Sequence, residues 1–105
     1  MKVIYNVTVN IDHDVKDEWL KWMKDVHIPE VLETGLFIEA KLSKILAESE
    51  GGESFSIQYM LHSMEDYHTY EREHAPKLQE KHHKKWADKS IAFRTLLHIE
   101  EIFQK

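Results

Sequence analysis

The sequence predicts an α+β fold: one four-stranded antiparallel sheet with its helices packed on a single face. Four stretches alternate apolar and polar residues with the period of two that a strand imposes. Between the first and second stretches, and again between the third and fourth, the apolar spacing lengthens to that of an amphipathic helix. Gly35 and the Gly51-Gly52 pair stand where these segments must stop or turn.

The first strand is expected over Lys2–Ile11, with Val3, Tyr5, Val7, Val9 and Ile11 on one face and Lys2, Asn6, Thr8 and Asn10 on the other. In the helix that follows, Val15, Trp19, Trp22, Met23 and Val26 share one stripe at helical spacing. Asp12 or Asp14 is placed to cap its start. Pro29 lacks an amide hydrogen and restricts His27 and Ile28, so the helix is expected to end or kink there. His27 falls at the edge of the stripe, beside Leu20 and Met23. It either bonds a carbonyl freed by the break or joins a ligand site.

After Gly35 a second strand is expected over Leu36–Leu46, and a hairpin connection over Glu48–Glu53. The third strand, Ser54–His62, turns Phe55, Ile57, Tyr59 and Leu61 inward and Ser56, Gln58 and His62 outward. Ser63 to Asp66 reads as a helix-capping signal. Pro76 opens a further helical segment with Leu78, His82 and Trp86 on its packing face. The fourth strand, Ile91–Phe103, is expected to send Ile91, Phe93, Leu97 and Ile99 toward the helices and Arg94, His98 and Glu100 away from them. The order β-α-β-β-α-β is the ferredoxin-like pattern. His27-Ile-Pro29 and His74-Ala-Pro76 occupy matching places in its two halves.

A chain of 105 residues makes a single domain, residues 1–105, with one core. Without cysteine it has no disulfide, thiolate metal site or cysteine nucleophile. The N-terminus alternates instead of forming a signal-peptide core, and no run reaches membrane-spanning length, so a cytoplasmic protein is expected, with no membrane partner. The net charge is −5, and acidic residues surround the basic cluster at Lys81 to Lys89, so nucleic acid is not an expected partner.

The sheet face turned away from the helices is mixed. Asn6, Thr8, Gln58, His62, Arg94 and His98 are expected on it together with Ile4, Phe37, Ile45, Met60, Leu96 and Ile102. A solvated face has little reason to carry a large apolar residue on every strand. Face-to-face pairing of two copies would bury those residues and enclose the polar ones in a barrel cavity, so a homodimer is expected.

The His-Ile-Pro-Glu-Val-Leu-x-Thr-Gly-x-Phe passage, the Gln58-Tyr59 strand and the Phe93-Arg94-Thr95 strand resemble a bacterial family of unknown function. That family looks like part of the dimeric α/β-barrel superfamily, which also holds antibiotic-biosynthesis monooxygenases and haem-degrading enzymes. The resemblance covers nearly the whole chain and implies a dimer, but no substrate. In the haem-degrading relatives an Asn on the first strand works with a Trp and an axial His on the second helix. Asn6 and His68 or His74 would correspond, but no Trp occurs in that region before Trp86, and the polar helix does not suit a porphyrin.

No cofactor is expected. The histidines show no His-x-x-x-His or His-Glu-x-x-His pair, so no metal site is expected either. Phosphate loops and nucleophile elbows are also absent. Two classes of function remain: a homodimer binding a small molecule, or a cofactor-independent monooxygenase or isomerase acting on a small polar or aromatic compound. For the second, His62 or His98 would be the acid/base group. Arg94 would hold an anion, with Asn6, Gln58 and His27 as further ligand contacts. Glu39, Glu100 or a ligand anion would be the partner of Arg94, and an internal carboxylate is the expected one.

Overall fold

The computed structural model describes residues 2–47 and 51–105. Strands β1 (Val3–Asp12), β2 (Glu39–Lys44), β3 (Gly52–Leu61) and β4 (Ser90–His98) form one sheet in the order β2-β3-β1-β4, with all neighbours antiparallel. On one face lie α1 (Lys16–Trp22), which runs through a π-turn (Met23–His27) into α2 (Ile28–Leu32), and the pair α3 (Met64–Glu73) and α4 (Ala75–Trp86). This is the expected ferredoxin-like arrangement.

The two central strands carry the core. Val3, Tyr5, Val9 and Ile11 of β1 and Phe55, Ile57, Tyr59 and Leu61 of β3 are buried beneath the helices, as alternation requires. Trp19 from α1, Val31 from α2, Tyr70 from α3 and Leu78 and Trp86 from α4 close over them. Gly52 pairs with Asp12 at the end of β1, where an added Cβ would stand 2.6 Å from the Ile11 carbonyl oxygen. Of the expected connection over 48–53, residues 48–50 lie outside the described residues. Gly35 follows α2 with φ +80°, the left-handed value that favours glycine at a helix end.

The first helix differs from its expected form in an informative way. Neither Asp12 nor Asp14 caps it; a short 3-10 turn, His13–Val15, leads in instead. At the far end the helix widens before Pro29. The Ile28 N–H donates to the carbonyl of Met23, five residues back, and Pro29 then sits in the first turn of α2, where its missing donor is not needed. A wider turn advances each residue through a smaller angle than an α-turn does. Over Met23–His27 the lag accumulates toward one residue's step, so His27 comes onto the packing stripe where Val26 was expected. His27 is 9% exposed and Val26 40%. In the second half Ser63 caps α3 as expected, accepting from the Asp66 N–H at 3.2 Å. There the helix does break, at His74, before α4 begins with its proline.

The expected facing of β4 is overturned. Its register places Ala92 opposite Val9, Arg94 opposite Val7, Leu96 opposite Tyr5 and His98 opposite Val3, all on the helix side. Ile91, Phe93 and Leu97 therefore point to the open face. A shift of one residue exchanges the two faces of a strand, and β4 carries apolar residues at both parities, with Leu96 and Leu97 adjacent, so alternation could not decide it. The strand also stops at His98, not Phe103.

Trp19 is wholly buried (0% exposed), whereas Trp22 is only half-buried. Trp19→Ala should lower stability by about 3–5 kcal/mol, and Val26→Ala by under about 1 kcal/mol; denaturant titration of both variants checks the phase change made by the π-turn.

Candidate functional site

A partly enclosed cavity of about 30 Å³ lies between the helix face of the sheet and the helices. Tyr5, Val7 and Val9 of β1, Ile57 and Tyr59 of β3, and Ala92 and Arg94 of β4 line it from below. Met23, His27, Val31, Tyr70, Gln79 and His82 close it from above. The space is that of about one water molecule, so it admits a small polar group and not a whole aromatic ring. Two wider depressions, of about 290 and 310 Å³, are open at the surface and gather no buried polar side chain.

Two histidines define one wall. His27 stacks on Trp22 with ring centroids 4.9 Å apart, and its ring is 5.8 Å from that of His82. Each reaches the cavity because it lies on the packing stripe of its helix, His82 four residues after Leu78 and His27 through the π-turn. Trp19 Nε1 donates to His82 Nε2 at 2.9 Å, which requires that nitrogen to be bare. Burial pushes the pKa of His27 down to about 4. Glu30 works against that shift, while Lys81 and Arg94 reinforce it. Burial also brings His82 to about 4, with His27, Arg94 and His83 adding to the effect. Both rings are therefore uncharged near neutral pH. His27 Nδ1 is buried without a hydrogen-bond partner among the described residues, so the carbonyl bond considered for this residue is not formed through that nitrogen.

The opposite wall is aromatic. Tyr5 packs against Tyr59, Tyr67 and Tyr70 at centroid distances of 5.9, 5.4 and 5.7 Å, and Phe37 meets Tyr70 edge-on at 4.8 Å. Burial raises the pKa values of Tyr59 and Tyr70. Tyr67 is pushed up to about 12, by burial first and then by its bond to Glu71. Arg94 stands between the walls, its Nε donating to the Tyr5 hydroxyl at 3.0 Å. Among the described residues no carboxylate comes within ion-pair distance of it. Neither Glu39 nor Glu100 is its partner; Glu100 approaches His98 at 3.8 Å.

The residues singled out in the sequence thus separate into three places. Arg94 and His27 come together in the cavity, with His82, which the sequence marked only as a packing-face residue. Asn6 and Gln58 face each other across β1 and β3 on the open face. There Asn6 is tied to Ser56 at 2.5 Å and to Thr8 at 3.1 Å. His62 and His98 lie exposed at the end of the sheet, outside the cavity. No group of three or more potential metal ligands occurs among the described residues. Among them, too, no helix is long and apolar enough to cross a membrane.

This arrangement defines a ferredoxin-like domain with a small polar cleft between sheet and helices. The chain belongs to a family described as a domain of unknown function, DUF4286, matched over residues 2–100. No curated protein matches it. Among solved structures it is similar to a dimeric ferredoxin-like protein from an uncultured marine organism (TM-score 0.71, 17% identity, 98% of this chain and 99% of that one). It is also similar to SnoaB, a cofactor-independent oxygenase from Streptomyces nogalater (0.69, 11%, 98% of each chain). A third is HapK from Hahella chejuensis (0.69, 6%, 100% and 99%). At these identities the likeness shows the fold, and it agrees with the resemblance to antibiotic-biosynthesis monooxygenase-like proteins.

The histidines make stability depend on pH in a definite sense. Their ordinary pKa is 6.5, and in the folded chain it is about 4, so the unfolded chain binds protons first as pH falls. Stability is complete above pH 6.5 and should decline between 6.5 and 4, His27 accounting for up to about 3 kcal/mol. Denaturant midpoints between pH 7 and 4.5 should show this decline, and His27→Gln should lessen it, leaving the part due to His82.

Proposed function

We propose that this protein is a homodimer that binds a small molecule through an anionic group, such as a carboxylate, seated on Arg94 at the helix-side cleft. The observation that carries this reading is an arginine pinned by a tyrosine hydroxyl, without an acidic partner among the described residues, beside two uncharged imidazoles. An arginine fork matches a carboxylate in two places. Arg94 is itself exposed, so its guanidinium is open to a ligand arriving from solvent. Because the cavity has room only for a small group, the body of the ligand lies toward its mouth, near Arg94 and Tyr67.

The homodimer rests on the other face of the sheet. Ile91 and Phe93 are 73% and 61% exposed there, with Leu97 alongside and Ile4 and Met60 half-buried on the neighbouring strands. Apolar groups so placed are best covered by a second sheet, and one of the similar structures is described as dimeric. The polar ladder of Asn6, Ser56 and Thr8 would then lie inside the dimer.

A second reading, a cofactor-independent enzyme, is favoured by the same imidazoles. An uncharged histidine beside a bound anion can take a proton from it, and SnoaB, on the same fold, is a cofactor-independent oxygenase. In this reading His27 replaces His62 and His98 as the proton acceptor, since the lone pair of His82 is taken by Trp19.

In a thermal-shift series of small carboxylic acids, at least one should raise the Tm of the wild type and leave Arg94→Met, which should still fold, unmoved. If no acid distinguishes the two proteins, the ligand reading fails. In sedimentation equilibrium at micromolar concentration the wild type should be dimeric and Phe93→Glu largely monomeric with its helix content retained.

A further inference from the structure

Trp19 is wholly buried and cannot touch anything bound in the cavity, yet its indole N–H ends on a histidine that can. We propose that Trp19 is a positioning residue that sets the site's selectivity: by occupying the Nε2 lone pair of His82 it keeps that ring's proton on Nδ1, so that His82, Arg94 and Tyr5 together present hydrogen-bond donors to the bound group. The inference rests on the anion-binding reading of the same site and specifies its ligand chemistry as a fully deprotonated carboxylate, in preference to the amide of the same shape.

The donor inventory follows from two contacts. A neutral imidazole carries one proton, and the nitrogen that accepts from Trp19 cannot also hold it. The remaining nitrogen of His82 is therefore a donor. Arg94 has no lone pair to offer, and its Nε is already committed to Tyr5. The Tyr5 oxygen, accepting from Arg94, keeps its own hydrogen free to donate. A carboxylate offers acceptor sites to all three. Against these three donors an amide replaces one oxygen with an NH₂ group, which turns a donor toward a donor and leaves both unpaired. Sites that leave such groups unpaired discriminate strongly between isosteres. Trp86 Nε1, also buried, has no hydrogen-bond partner among the described residues.

Two measurements test this. Nitrogen-15 NMR of uniformly labelled wild-type protein at pH 7 reports the tautomer of His82 directly and needs no variant; the Nδ1–H form is expected, and the Nε2–H form overturns the proposal. Binding of benzoate and benzamide is then compared by titration in the wild type, Trp19→Phe and Arg94→Met. Benzoate should bind the wild type at least about tenfold more tightly than benzamide, the gap expected for one mismatched hydrogen bond. In Trp19→Phe, where His82 is free to change tautomer, that ratio should fall toward one. Equal binding of the two probes, or a ratio unchanged in Trp19→Phe, overturns the role of Trp19 while leaving the anion-binding reading intact. Benzoate binding that is the same with or without Arg94, or absent, overturns the anion-binding reading and this proposal with it.

Discussion

The fit of the first helix onto the sheet depends on one widened turn. With Pro29 fixed in the chain, a regular α-helix would press its ring against the carbonyl of the preceding turn. Opening the helix over Met23–His27 removes that conflict and rotates everything after it. The rotation exchanges an aliphatic side chain for an imidazole on the buried stripe. Burying His27 costs solvation, and the chain offsets this with the stacked face of Trp22 and by leaving the ring uncharged. π-turns often occur at functional sites; here the turn puts a titratable group where the periodicity calls for an aliphatic one.

The cavity follows from the same geometry. His27 reaches across to His82, His82 is held by Trp19, and Arg94 rises from the edge strand to close the gap. The edge position explains why an arginine is tolerated on the helix side. The helices cover β1 and β3 completely but thin out over β4, whose helix-side residues are small at Ser90 and Ala92 and polar at Arg94. Leu96 is the large apolar residue of that strand on the helix side, while Ile91, Phe93 and Leu97 take the opposite face.

Much of this was legible in the sequence, for identifiable reasons. β1 and β3 alternate without ambiguity, so their buried sets were readable residue by residue, and the order of elements then defined the fold. The capping serine of α3 and the closing Gly35 were equally plain. β4 was not, because both of its parities are apolar and only pairing with β1 decides which one faces the helices. That single parity moved Arg94 from a supposed barrel interior to the cleft beneath the helices, and it left His98 at the sheet's end. The π-turn was hidden too, since a stripe drawn at constant pitch cannot show a local change of pitch. A histidine on the packing stripe of each helix was the available sign, visible outright at His82 and only as an edge position at His27 for that reason. The facing of Asn6 and Gln58 was correct, but nothing in their spacing told that they would lie across the sheet from the other candidates.

The contacts that build the cleft join distant parts of the chain: Arg94 and Tyr5 are 89 residues apart, and Trp19 and His82 are 63 apart. Closing such long loops is slow relative to local helix formation. Until β4 docks, β1 presents a bare, strongly apolar edge with its ladder of amides and carbonyls unpaired, the surface on which unrelated chains add strands. During synthesis that edge stays open until Ser90–His98 have emerged. The arginine that completes the cleft therefore belongs to the strand that also protects the nascent chain from aggregation, and a truncation removing β4 would lose both together.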